Sequence, residues 1–179
     1  MKIGLDLDDT VCKRSESLNK WAKKYAAIKK MEVADIFMDF SLRKRFLKEH
    51  FIDIIKEAEL KNDFKEVFTK LSLDNDIYII TARSDVYMPD GKKVDYITLE
   101  WLADNDILYK KYYSHVYKEE KAMICEENKI DIMIDDDIAN YEALVEKGIN
   151  VFLFDDKNMY PDVKNRVTSW KAIEELLLG

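Results

Sequence analysis

The sequence predicts an α/β protein, a doubly wound parallel sheet flanked by helices, with an all-helical insertion after its first strand. Three observations predict it. Short, continuous apolar runs of the kind buried on both faces recur, most clearly over 77–80 and 130–134. Stretches with apolar residues at helical spacing alternate with them. The region from 14 to 72 carries helical spacing alone, with no strand signal.

The composition supports one core with a small inserted subdomain. Of 179 residues, 47 % are hydrophobic, and three Trp, ten Tyr and eight Phe supply bulk for a packed interior. Only four Gly and two Pro argue for long helices and short connections, and against disorder. The formal net charge of −7 disfavours coating a polymeric nucleic acid, which needs a basic face. It also repels anionic substrates unless a cation or local basic groups compensate. No apolar stretch is long enough for a signal peptide or a membrane span, so a membrane partner is not expected. Cys12 and Cys125 are far apart and follow no metal spacing, as expected of reduced thiols in a cytoplasmic protein.

In chain order, the first strand lies in MKIGLDLDDT, where Ile3, Leu5 and Leu7 interleave with Asp6 and Asp8. It ends in three carboxylates within four positions, Asp6, Asp8 and Asp9, followed by Thr10. Leu18, Trp21, Ala22, Tyr25 and Ala26 place a helix over 15–30, with Ser15 or Ser17 as its cap. A second helix is expected over 42–60 and a third over 64–71. The second strand, 77–80, precedes a turn-rich loop over 84–91 and a helix over 92–105. A weaker, tyrosine-rich strand over 112–117 leads to a helix over 119–127. The fourth strand, 130–134, runs into Asp135, Asp136 and Asp137. A helix over 139–147 stops at Gly148, a left-handed cap, before a fifth strand over 149–154 and a closing helix over 169–178.

In such sheets, ligands bind at the carboxyl ends of the strands, and the conspicuous polar residues map there. Asp6 and Asp8 follow strand one, Thr81 and Arg83 strand two, and Asp135 to Asp137 strand four, with Lys118 and Lys121 after strand three. Like charges so crowded repel, and removing them together from water is costly. A divalent cation with oxygen ligands offsets that, and Mg²⁺ suits a part-hydrated site. A carboxylate beside such an ion can attack phosphorus, and a second one two residues on can protonate the leaving oxygen and later activate water. A threonine hydroxyl and a lysine ammonium can hold the transferring phosphoryl oxygens. Each residue also has a plainer reading. Thr81 closes a strand, Lys121 sits on a solvated helix, Asp135 to Asp137 cap a helix, and Arg83 pairs with an acid rather than gripping phosphate. Their coincidence at one sheet edge favours a site.

DLDDTV, read from Asp6 to Thr10, is similar to the first motif of the haloacid dehalogenase (HAD) superfamily. IITAR resembles the second motif through Thr81, and KAMICEENKIDIMIDD the third and fourth through Lys121, Asp135 and Asp136. All four occur in the family's order and span the chain. The resemblance implies a Rossmann-like HAD core over 1–13 and 73–179 and a substrate-selecting helical cap over 14–72. It implies Asp6 as nucleophile and Asp8 as general acid and base. It implies Mg²⁺ held by Asp6, the backbone carbonyl of Asp8, and Asp135 or Asp136. Thr81 and Lys121 would bind phosphate, with Arg83 a further candidate and Lys118 the runner-up for the lysine role. Asp137 would then cap the helix.

Within the superfamily, ITAR, TLEWL, the turn over 104–108 and IDIMIDD look most like the nucleotidases grouped with the 5'(3')-deoxyribonucleotidases. The chain departs from the better-known of these where they favour Gly and it has Asp9. The implied activity is a Mg²⁺-dependent hydrolase of phosphoric monoesters, acting on a small phosphorylated substrate, a (deoxy)nucleoside monophosphate. Trp21, Phe37, Phe40 and Phe46 could stack on a base, although aromatics at helical spacing more often form core. The same residues would serve another small phosphate ester such as a sugar phosphate, or a phosphotransferase. A phospho-receiver domain fits less well, because Thr81 precedes the lysine and a second acid pair follows it. A non-catalytic binding protein would not need both Asp6 and Asp8.

Overall fold

The computed structural model describes residues 1–179. Six strands form one parallel sheet: β1 (Lys2–Leu5), β2 (Asp76–Ile80), β3 (Lys111–Tyr113), β4 (Ile132–Asp135), β5 (Val151–Phe154) and β6 (Arg166–Val167). Eight α-helices accompany them: α1 (Arg14–Lys29), α2 (Val33–Met38), α3 (Phe40–Lys56), α4 (Phe64–Asp74), α5 (Val94–Asp104), α6 (Lys118–Asn128), α7 (Ile138–Glu146) and α8 (Trp170–Leu178). The strand order is β3-β2-β1-β4-β5-β6. It reverses between β1 and β4, and a reversal of this kind opens a crevice at the carboxyl ends of the two strands. No helix is long and apolar enough to cross a membrane.

The chain divides into two units. The first comprises Met1–Cys12, Leu60–Ala82 and Leu108–Gly179 and contains the whole sheet. One of its cores joins Tyr78, Ile80 and Met133 of the strands to Ala122 and Cys125 of α6 and Leu144 of α7. Gly4 belongs to the same packing, since a Cβ there would stand 2.6 Å from the Met133 sulfur. In another part of this unit α4 packs on α8, with the Phe64 and Trp170 rings 4.7 Å apart edge to face and Phe154 beside Trp170.

The second unit comprises Lys13–Glu59 and Arg83–Ile107 and is helical. Tyr25, Ile36, Phe46, Leu47 and Ile54 form its largest core, with Trp21 stacked on His50 at 4.9 Å. Phe51 and Ile55 of α3 share a second cluster with Met88, Val94 and Ile97.

These units cross the boundaries expected from the sequence. The reading above placed 60–72 in the insertion, whereas the apolar face of α4 (Phe64, Val67, Phe68, Leu71) groups it with the sheet unit. It placed 83–107 with the sheet, whereas α5 buries Val94 and Ile97 against α3. Helical periodicity shows that a face is apolar, not which neighbour covers it. Two short elements were not anticipated: α2, six residues long, and β6, two residues long. Neither Ser15 nor Ser17 caps α1. Both lie inside it, Ser17 donating its hydroxyl proton to the Ile54 carbonyl at 2.8 Å, and Lys13 stands at the cap position.

Candidate active site

Parallel register puts the acids together. Leu5 pairs with Ile134 across β1 and β4, so Asp6, the residue after β1, and Asp135, the last of β4, face one another across the strand-order reversal. The Asp6 amide donates to the Ile134 carbonyl at 3.0 Å, which extends the ladder by one step and fixes where that side chain leaves the sheet. Lys121, one turn into α6, closes the arrangement. Its ammonium donates to Asp6 Oδ1 at 2.8 Å and to Asp135 Oδ2 at 2.5 Å.

Lys121 and Asp135 are fully buried and Asp6 nearly so. A buried charge is tolerated only when it is paired and hydrogen-bonded. For Asp135 that condition is met at both oxygens. Oδ1 accepts from the Asp137 amide at 3.0 Å and from Asn140 Nδ2 at 3.2 Å, and Oδ2 accepts from Lys121 and from Asn140 Nδ2 at 3.3 Å. Burial by itself would lower the Lys121 pKa, but the charges of Asp135 and Asp6 outweigh it and raise it above the usual lysine value. The lysine is therefore held as a cation.

One lysine does not neutralise the cluster. Burial raises the Asp6 pKa, Lys121 opposes this, and Asp135 and Asp8 reinforce it. Burial raises that of Asp136 too, with Asp6, Asp135 and Asp9 adding repulsion. Asp136 Oδ1 accepts from the Thr10 hydroxyl at 3.1 Å, and Thr10 in turn is anchored by Trp170, whose indole N–H donates to the Thr10 carbonyl at 3.0 Å. Asp8 Oδ1 lies 3.7 Å from Cys12 Sγ. No group of three or more His, Cys, Asp or Glu side chains is arranged to hold a metal by itself. The donors that could take part in holding one are the carboxylates and carbonyls around Asp6, Asp8, Asp135 and Asp136. All are hard oxygens, and an excess of buried negative charge surrounds them, which suits a Mg²⁺ that keeps part of its water.

The remaining candidates are placed as follows. Thr81, fully buried, directly follows β2, its amide donating to the Tyr113 carbonyl at 2.9 Å and its own carbonyl accepting from Val116 N at 3.2 Å. Between the two lysines, Lys121 is the buried one that meets the acids. Lys118 is exposed and uses its backbone N–H, donating to Asn140 Oδ1 at 3.2 Å. Asp137 caps α7, accepting from the amides of Ala139 and Asn140. Arg83 belongs to the second unit, where its guanidinium donates to Thr98 Oγ1 at 3.5 Å and lies over the Trp101 ring. Asp9 has φ of 60°, a left-handed conformation that glycine adopts most readily. Asn140 and Trp170 were not singled out from the sequence. The only signal for Asn140 is its position in the first turn of the helix that follows the acid run.

No family model matches the chain. A Bacillus cereus protein named "Putative nucleotidase" is 25 % identical to it over 193 residues, covering 99 % of this chain and 98 % of that protein. Among solved structures, a magnesium-bound HAD-hydrolase from Bacillus subtilis superposes with a TM-score of 0.72 at 12 % identity, covering 99 % of this chain and 98 % of the other. A haloacid dehalogenase-like hydrolase from Streptococcus pneumoniae also has a TM-score of 0.72, at 11 % identity, covering 98 % and 97 %. The chain has the α/β Rossmann-like fold of the HAD-superfamily hydrolases.

Proposed function

We propose that the protein is a Mg²⁺-dependent phosphomonoesterase that forms an aspartyl-phosphate on Asp6, and that its substrate is a nucleoside or deoxynucleoside monophosphate. The observation that carries this reading is the Lys121 ammonium set between Asp6 and Asp135 at the strand-order reversal, with Asp8 two residues beyond Asp6. A carboxylate that is buried yet paired with a fixed cation is oriented for nucleophilic attack.

In this reading an Asp6 oxygen attacks phosphorus and the ester oxygen departs with a proton from Asp8. Water then attacks the acyl phosphate, Asp8 taking its proton, and inorganic phosphate leaves as Asp6 is restored. Lys121 and Thr81 hold the phosphoryl oxygens, whose charge must be stabilised as the bond order changes. Asp6, the Asp8 carbonyl and Asp136 would hold Mg²⁺, which when bound supplies positive charge against the crowded carboxylates and the phosphoryl group. Asp135, with both oxygens engaged, serves Lys121. The helical insertion between the first and second motifs is assigned the role of substrate-selecting cap. The nucleotide assignment is supported by the motif resemblance and by the name of the Bacillus cereus relative.

The test is phosphate release from p-nitrophenyl phosphate with Mg²⁺, then from nucleoside monophosphates, deoxynucleoside monophosphates and sugar phosphates. Asp6→Asn is expected to reduce turnover to background. Equal release by wild type and Asp6→Asn would remove Asp6 as nucleophile. A clear preference for sugar phosphates would overturn the nucleotidase assignment while leaving the phosphatase one intact.

A further inference from the structure

We infer that Asn140 is a positioning residue that locks the Asp135 carboxylate and the start of α6 into one arrangement, and so sets where the Lys121 ammonium stands. Asn140 is buried on α7. Its Nδ2 straddles the two Asp135 oxygens at 3.2 and 3.3 Å, while its Oδ1 accepts from Lys118 N at 3.2 Å. Chemistry forces the orientation of the amide. A carboxylate can only accept and a backbone N–H can only donate, so the nitrogen must face Asp135 and the oxygen Lys118. A side chain as short as this with a donor and an acceptor at its two tips is an asparagine. Aspartate matches its size but offers no proton to Asp135.

Both ends of the bridge bear on Lys121. At one end, Asp135 Oδ2 takes the Lys121 ammonium at 2.5 Å, so fixing the carboxylate fixes the cation. At the other, Lys118 is the first residue of α6 and has φ of 34°, a left-handed conformation that disfavours a lysine. Its N–H belongs to the first turn of α6, whose amides have no partner within the helix, and Asn140 supplies one. Lys121 follows three residues later, so the same amide holds both the base of its helix and the partner of its charge. Networks of this kind in a buried site are strong when every member is satisfied and costly when one is missing.

The inference rests on the phosphate-binding role proposed for Lys121, and the experiment separates the two. Asn140→Ala and Asn140→Asp are compared with Asn128→Ala, which removes another buried amide at the far end of α6, bonded to Lys111 and Tyr113. Readouts are thermal stability, amide hydrogen exchange at Lys118, and calorimetric titration with inorganic phosphate in Mg²⁺. Asn140→Ala, which removes both ends of the bridge, is expected to speed Lys118 exchange by about tenfold or more, whereas Asn140→Asp keeps an acceptor for Lys118 and loses only the donor to Asp135. Both are expected to weaken phosphate binding roughly 10–100-fold, as loss of a supporting partner does around a bound ligand. Asn128→Ala should lose comparable stability and keep phosphate affinity. The inference is overturned if Lys118 stays protected in Asn140→Ala, or if phosphate affinity in the two Asn140 variants falls no more than in Asn128→Ala. Normal phosphate binding by Lys121→Met would instead remove the lysine from the proposed function, and Asn140 would then stand or fall on the exchange result alone.

Discussion

Lys121 and Asp135 are both fully buried, and their charged ends meet at 2.5 Å across 14 residues of sequence. The pair joins α6 to the end of β4 and leaves the ammonium's other bond for Asp6. Removing Lys121 leaves two buried carboxylates without their cation, and removing Asp135 leaves the buried ammonium with Asp6 alone. Asp135→Asn and Lys121→Met are each expected to destabilise the protein by about 3–5 kcal/mol, read from urea midpoints. The double variant should lose less than the sum of the two, because the Lys121–Asp135 bond they share is lost only once.

Asp9 separates backbone from side-chain effects. With φ of 60°, its conformation costs a residue with a Cβ more than it costs glycine. Asp9→Ala should therefore be less stable than Asp9→Gly by about 1 kcal/mol, measured by chemical denaturation. Equal stability would show that the left-handed turn carries no strain.

Trp170 holds the loop after β1 from behind. Its indole N–H donates to the buried Thr10 carbonyl, and the Thr10 hydroxyl donates to Asp136. Trp170→Phe keeps an aromatic ring against Phe64 but leaves that carbonyl without its donor. A loss of about 1–3 kcal/mol is expected, again from urea midpoints, with lower turnover of an aryl phosphate.

Asp155 sets part of the acid limit of stability. Burial alone would raise its pKa, but the amides of Met159 and Tyr160 and the Arg166 guanidinium outweigh this and hold it below its ordinary value of 3.8. A depressed carboxylate stabilises the fold fully above its unfolded pKa and loses that contribution as pH falls through the lower folded value. Asp155→Asn should thus be less stable than wild type at pH near 7, by about 1–3 kcal/mol, and the gap should shrink as pH drops below 3.8. A gap that stays constant with pH would remove Asp155 from the acid response.

Much of the fold was legible because its signals are local. The apolar runs over 77–80 and 130–134 became β2 and β4, and Gly148, with φ of 74°, ends α7 as its position suggested. The two-residue β6 carries no periodicity to detect, and α2 is too short for its single buried residue, Ile36, to define a face. The partition of α4 and α5 between the units was not legible, because an apolar stripe does not name its partner.

The sequence by itself determined the parallel α/β architecture and the set of residues at the carboxyl edge, since alternation, run length and strand-end acids are written in consecutive positions. Only the tertiary structure decided which of two lysines meets the acids, which aspartate of the run has both oxygens occupied, and that Asn140 joins them. The reason is physical. Lys118 and Lys121 have the same chemistry and differ only in helical phase, and three residues of an α-helix turn by less than a full revolution. One ammonium is therefore carried to the crevice while the other is left at the surface, and the choice depends on how α6 is seated against β4 and α7.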